Sequence, residues 1–400
     1  MDMNEMLQIT RLVQRGGLTE ATTLIQRALR GVSVSDNAAE EADIPKESVV
    51  LDGVFRVIQD DTDVKDGNAQ NASAAFRRSP SPQWQEYIEQ FVRPAPSPET
   101  AAKTAPGGRF ITGSYSNHAG TRAYKLYIPS SYHGQPFPMV VMLHGCTQNP
   151  DDFAAGTRMN NLAEEHSCFV VYPAQAQNAN GQKCWNWFKA GDQQREQGEP
   201  SLIAGITRQV MNAYSVDTRR VYVAGLSAGG AMAAVMGATY PDLYAAIGVH
   251  SGLPFAVAHD LPSALAAMHG GGRAAPPTTA GGQGKGAVPL IVLHGDKDTT
   301  VHPRNSDEII AQWISTQTHG RVGRKPRVTV QQGRASGGHE YSRAIYHDTN
   351  DQSVMEQWRI HGAGHAWSGG SSSGSYTDPR GPDAGREMIR FFYEHPRESQ

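Results

Sequence analysis

Apolar and polar positions are distributed unevenly along the 400 residues. From about residue 106 onward, short apolar runs recur, MVVMLH (139–144), FVVYP (169–173), VYVAG (221–225), AAIGVH (245–250) and PLIVLH (289–294), followed by the more mixed strand candidates RVTVQ (327–331) and MEQWRIH (355–361). Runs of this length without strict alternation predict strands covered on both faces. RFITGSYS (109–116) and RAYKLYIP (122–129) alternate instead, which predicts an antiparallel hairpin pair. Segments with helical character separate most of the strands, at 151–166, 201–214, 228–240, 305–318 and 382–394. Strands alternating with helices predict one α/β domain over 106–396, with a mainly parallel sheet and helices on both faces.

The first 105 residues read differently. Residues 1–31 predict a small helical hairpin broken at Gly16-Gly17, with Ala21, Leu24, Ile25 and Ala28 at helical spacing and Gly31 as a C-cap. Its Arg11, Arg15, Arg27 and Arg30 read as solvated charges rather than as a surface for an acidic partner, and the pattern identifies no protein partner for these helices. Residues 32–105 contain SPSP, PAPSPET and little apolar content, the chemistry of a partly disordered linker. Within it, 48–60 predicts an extended segment and 83–93 a short helix. A further apolar-poor stretch, HGGGRAAPPTTAGGQGKGA (269–287), predicts a flexible insertion, because it lacks the residue order of a phosphate-binding loop.

Composition narrows the function. With 36 basic against 39 acidic residues, the chain lacks the basic excess of nucleic-acid-binding and membrane-surface proteins, and no apolar run reaches the length of a membrane span. Asp2 and Glu5 interrupt any signal-like start, so the expected location is cytoplasmic. The three cysteines, Cys146, Cys168 and Cys184, are too few for a disulfide framework and are not spaced as metal ligands. A Cys146–Cys184 bridge that leaves Cys168 free is one arrangement among those open. No metal or organic cofactor is expected.

The chemistry concentrates at Gly225-Leu226-Ser227-Ala228-Gly229, where a strand passes into a helix. A sharp strand-to-helix turn leaves no room for side chains beside its apex, so glycines two residues either side expose the serine hydroxyl as a nucleophile. An ordinary glycine-rich turn is the competing reading. A serine nucleophile needs an imidazole base, and the base needs a carboxylate that fixes its tautomer. After PLIVLH, Asp296 and Asp298 are both available; Asp298 is favoured because Asp296, next to the turn glycine, suits a backbone hydrogen bond. After the last strand, His365 in a glycine-rich loop is favoured over His361 at the strand end. The backbone N–H groups of Cys146, in LHGCTQ, and Ala228 are the expected oxyanion donors, with His144 holding the turn. A Cys146 nucleophile competes weakly, having no histidine of its own. Trp185 and Trp187 in CWNWF, and Trp367, either line a substrate cleft or pack beneath loops.

Five blocks in order, LHGCTQNPDDFAAGT, CWNWF, GLSAGGAMA, HGDKDTTV and GAGHAWSGG, resemble the polyhydroxybutyrate depolymerase family of esterases, type-1 catalytic domain, over about 106–396. The resemblance implies an α/β-hydrolase fold, the triad Ser227, Asp298 and His365, and Cys146 in the oxyanion loop. It implies an ester substrate, a hydroxyalkanoate oligomer or polymer. The family is also similar to feruloyl and acetylxylan esterases, which keeps those esters open. Its secreted members carry a signal, a linker and a polymer-binding domain; without an evident counterpart here, soluble oligomers or small esters are expected over crystalline polymer. A non-catalytic binding protein on the same fold and a peptidase are the readings from other classes.

Overall fold

A computed structural model describes residues 107–271, 288–318 and 326–398. The helical hairpin expected over 1–31, the linker over 32–105 and most of the insertion over 269–287 lie outside the described residues.

The sheet has ten strands among the described residues. Arg109–Asn117 (β1) and Gly120–Ile128 (β2) form the expected antiparallel hairpin. Phe137–Leu143 (β3), Phe169–Pro173 (β4), Val216–Leu226 (β5), Ala246–His250 (β6), Leu290–Gly295 (β7) and Ser353–Ile360 (β10) run parallel in the centre, in the order β4-β3-β5-β6-β7-β10. Arg327–Arg334 (β8) and Glu340–His347 (β9) continue the sheet antiparallel beyond β10.

The apolar runs are continuous because both faces of the central strands are buried. Along β3, Met139, Val141 and Leu143 enter one core, while Val140 and Met142 enter the other. Gly198–Ala213 (α3) and Ala228–Thr239 (α4) supply Ile203, Met232 and Val235 to the first core. Pro150–Thr157 (α1), Met159–His166 (α2) and Ala384–Glu394 (α7) bring Phe153, Leu162, Met388 and Phe392 to the second.

The single helix expected over 151–166 is two. Asn149 caps α1 by accepting the Asp152 N–H, Pro150 takes the first turn, and Arg158 closes the helix in the left-handed region, at φ 55°. Two elements escape the apolar pattern. Leu261–Gly270 (α5) fully buries only Ala264 and Ala267, too small a stripe to read. In β9 only Ile345 is fully buried, so the strand carries little apolar signature. Arg304–Thr318 (α6) falls where expected and buries Trp313. A short parallel pair, Trp367–Ser368 (β11) with Thr377–Asp378 (β12), folds the segment after β10 over the carboxyl ends of the central strands.

Candidate active site

At the carboxyl end of β5 the chain turns through Ser227, at φ 57° and ψ −120°, directly into α4. A non-glycine residue in this region costs about 1–3 kcal/mol and persists only where the surroundings hold it. Here the Ser227 N–H donates to the His250 carbonyl at 2.9 Å, and the Ser227 carbonyl accepts from Ala231 at 2.9 Å. The flanking glycines are a steric necessity. A Cβ on Gly225 would lie 2.4 Å from the Gly229 backbone, and one on Gly229 would lie 2.0 Å from the Leu143 carbonyl oxygen. Ala228 opens α4, so its N–H belongs to the first turn, which has no partner within the helix.

His365 and Asp298 come together from the loops after β10 and β7. The His365 Nδ1–H donates to Asp298 Oδ2 at 2.7 Å, which leaves the lone pair of the neutral ring on Nε2. Asp298 has a fully buried side chain; its Oδ1 accepts from the Thr300 and Val301 N–H groups, and its Oδ2 lies 3.2 Å from His294 Nε2. Burial penalises this charge, but His365 and His294 outweigh it and hold the carboxyl well below the usual carboxylate range.

The other aspartate and histidine pair with each other. His361 Nδ1 lies 3.0 Å from Asp296 Oδ2, and Asp296 Oδ1 accepts from the Gly362 N–H at 2.7 Å. The backbone bond anticipated for Asp296 is present. Neither side chain lines the cavity that Ser227 and His365 share.

The third component is the loop after β3. The Gln175 N–H donates to His144 Nε2 at 3.1 Å, so the His144 proton sits on Nδ1 and is given to the Gly145 carbonyl at 2.8 Å. In a trans peptide the C=O and N–H point in opposite directions, so holding the Gly145 carbonyl on one side turns the Cys146 N–H to the other. Gly145 is further held by Gln148, whose Oε1 accepts its N–H at 2.9 Å and whose Nε2 donates to Asp152 and to the Ser375 carbonyl. A Cys146–Cys184 disulfide ties the loop to the aromatic segment, leaving Cys168 as a buried thiol whose pKa burial pushes up to about 12. A Cβ on Gly145 would sit 3.6 Å from Ser227 Cβ, which measures how closely this loop approaches the serine.

Ser227, Ala228, Cys146 and His365 border one cavity of about 790 Å³. Its apolar lining comes from Trp187, Phe188, Leu253, Met268 and Val301, and its polar lining largely from 372–380, including Ser375, Tyr376 and Arg380. There Asp378 is fixed between His339 and Arg380; burial raises its pKa, but these partners bring it down to about 2. Of the three tryptophans anticipated as substrate-lining, only Trp187 is placed on the cavity. Trp185 is buried behind the oxyanion loop, 5.7 Å from His144, and Trp367 is buried between His250, at 5.1 Å, and Phe153. Both rings fill space beneath the site.

Several supporting residues escaped sequence reasoning. His144, anticipated as holding the turn after β3, is joined by two histidines that were not anticipated, His250 and His294 at the carboxyl ends of β6 and β7, and all three are buried around the site. Burial lowers the His144 pKa to about 4. Burial, with the neighbouring His294 and His365, lowers that of His250 to about 3, so the His144 and His250 rings are neutral near pH 7. The repeated strand-end histidine was the available signal. Gln148, Asp152 and Ser375 had none, because their contacts span 223 to 227 residues of sequence. Among the described residues, no three His, Cys, Asp or Glu side chains are grouped to hold a metal ion.

Comparison with known proteins agrees with this architecture. The family described as esterase PHB depolymerase matches residues 122–326. The chain is 35% identical over 261 residues to poly(3-hydroxyalkanoate) depolymerase C of Paucimonas lemoignei, covering 63% of this chain and 60% of that protein. It is 29% identical over 233 residues to a probable acetylxylan esterase A of Aspergillus fumigatus, covering 55% and 62%. Acetylxylan esterase A of Talaromyces purpureogenus is 31% identical over 216 residues, covering 51% and 55%. The chain thus spans roughly 55–62% of the length of these curated relatives. Among solved structures, the acetyl xylan esterase from Aspergillus awamori aligns with a TM-score of 0.56 at 21% identity, over 71% of this chain and 99% of that one, which shows the α/β-hydrolase fold. On the match over 122–326, the chain belongs to the PHB depolymerase family of esterases.

Proposed function

We propose that this protein is a serine esterase that hydrolyses oligo- or poly(3-hydroxyalkanoate) esters. The observation that carries the reading is the convergence on one cavity of a serine at a strained elbow, a histidine bound to a buried carboxylate, and an oxyanion loop held by side chains. In this mechanism His365 Nε2 takes the Ser227 proton as Oγ attacks the ester carbonyl. The N–H groups of Cys146 and Ala228 receive the negative oxygen of the tetrahedral intermediate. His365 returns the proton to the departing alcohol, and water activated by the same ring releases the acid. Asp298 keeps the proton on Nδ1 and stabilises the imidazolium, while neutral His144 holds the oxyanion peptide in place.

The mixed lining of the cavity supports a substrate that carries both apolar and polar groups. Its apolar residues suit the alkyl side groups of a hydroxyalkanoate, its polar residues suit the ester and hydroxyl oxygens, and its volume holds more than an acetyl group. The name of the Paucimonas relative points the same way. A second reading, an acetylxylan-type esterase, is favoured by the names of the fungal relatives.

The test compares soluble 3-hydroxybutyrate oligomers, amorphous polymer, p-nitrophenyl acetate and methyl ferulate, with wild type and Ser227→Ala. Cleavage of oligomer or polymer that disappears in the variant is expected. Cleavage of the acetyl or aromatic ester alone moves the substrate to the second reading, and turnover retained by Ser227→Ala overturns the nucleophile.

A further inference from the structure

A second Ser-His-Asp arrangement lies on β9 and the loops beside it. Ser342 Oγ is 2.8 Å from His361 Nε2, and His361 Nδ1 is 3.0 Å from Asp296 Oδ2. Asp296 accepts from the Gly362 N–H through its other oxygen, and its own N–H donates to the Ile360 carbonyl. The His361 N–H donates to the Glu340 carbonyl, two residues before Ser342. The His361 loop is therefore tied to β9, which carries the serine, and the Asp296 loop to its neighbour β10.

These contacts fix the protons. Burial opposes the charge on Asp296, but the Gly362 N–H and His361 outweigh it and keep the carboxyl below its usual range. An ionised carboxylate accepts the Nδ1–H, so Nε2 carries the lone pair and the Ser342 hydroxyl donates to it. This is the hydrogen-bond order that activates a serine. The array is also reachable, since the His361 side chain is 39% exposed and that of Asp296 28%.

We propose that Ser342, His361 and Asp296 form a second nucleophilic array, at which Ser342 is acylated by activated aryl esters. Ser342 Oγ bonds to the acyl carbon as its proton passes to His361 Nε2. The bond from that carbon to the aryl oxygen breaks, and the phenolate leaves with the electron pair; the imidazolium then gives its proton to water. Ser342 lies within a strand, not at an elbow leading into a helix, so it lacks the oxyanion donors that such an elbow supplies. Only good leaving groups react, and the acyl-serine accumulates instead of turning over.

The experiment treats the full chain carrying Ser227→Ala with excess p-nitrophenyl acetate. The expected result is a burst of about one equivalent of nitrophenolate followed by a plateau, with the acetyl group mapped to Ser342 by peptide mass spectrometry. Adding Ser342→Ala removes the burst, and adding His361→Gln slows it by about a hundredfold. Thermal melting of each variant checks the fold; should His361→Gln melt early, Asp296→Asn is the second variant, with a slowing of about tenfold expected. Absence of an adduct at Ser342, or an acylation rate unchanged by the substitutions at 361 and 296, overturns the proposal.

Discussion

Two aspartate–histidine pairs stand side by side above β7 and β10, and they differ in almost everything except their hydrogen bond. Asp298 and His365 meet at 2.7 Å with the carboxylate fully buried, on a cavity that also holds an elbow serine and the first turn of a helix. Asp296 and His361 meet at 3.0 Å with both side chains partly in water, and their serine lies on an ordinary strand. A hydrogen-bonded triad is thus a small part of a hydrolytic site. The inner pair adds a dry carboxylate and an oxyanion loop, and electrostatic stabilisation of the oxyanion is usually the largest single contribution to such catalysis.

Removing each imidazole separates the two pairs most widely. His365→Ala is expected to lower kcat on soluble esters by about 10⁶-fold, while His361→Ala changes it by less than about threefold. Steady-state kinetics on both variants, folded by thermal melting, checks this; a reversed order assigns the hydrolysis to the outer pair. Next in size are the carboxylates. Asp298→Asn should lower kcat by about 10³- to 10⁴-fold with KM little moved, because the amide reverses the tautomer of His365. Asp296→Asn should leave kcat on soluble esters within about threefold of wild type.

A stability difference follows from the neutral rings behind the inner pair. His144 binds a proton at about pH 4 in the fold and near pH 6.5 when unfolded. The unfolded state therefore takes up the proton first, and stability falls as pH drops from 6.5 toward 4, by about 3 kcal/mol for this residue. Calorimetric melting between pH 7 and 4 measures the slope, and His144→Gln should reduce it by that share, leaving the part that His250 contributes. The smallest effect sharpens the comparison. Cys146→Ser keeps the backbone donor but cuts the tether to Cys184, so kcat is expected to fall about tenfold. Acylation at Ser342 should be unchanged in the same protein, as a burst assay in the Ser227→Ala background would read.

The contrast also explains what the sequence could and could not tell. The turn at Ser227 was legible because its requirement is local, two glycines whose places a Cβ cannot share with the backbone. The central strands were legible because burial on both faces leaves unbroken apolar runs. Spacing favoured Asp298 and His365 only softly, since Asp296 and His361 sit at nearly the same offsets. What separates the pairs is burial, set by contacts 65 to 67 residues apart. Trp185 and Trp367 stayed open between cleft and packing for the same reason: an aromatic residue in a loop does not announce whether it faces a cavity or fills the floor beneath it. β9, which carries Ser342, has too few buried side chains to announce itself.

The knot of Gln148, Asp152 and Ser375 has a consequence for assembly. Gly145 is held by Gln148, and Gln148 and Asp152 are in turn bound to a segment more than two hundred residues later in the chain. Contacts of such high sequence separation close late, after the loop entropy between them has been lost. The nucleophilic turn needs its own strand, its helix and the neighbouring β6, whose His250 carbonyl holds the Ser227 N–H, but the oxyanion loop waits for residues 367–378 to dock. An immature chain would therefore carry an exposed serine without the means to use it, and the onset of hydrolysis during refolding would report the last docking step, not the collapse of the sheet.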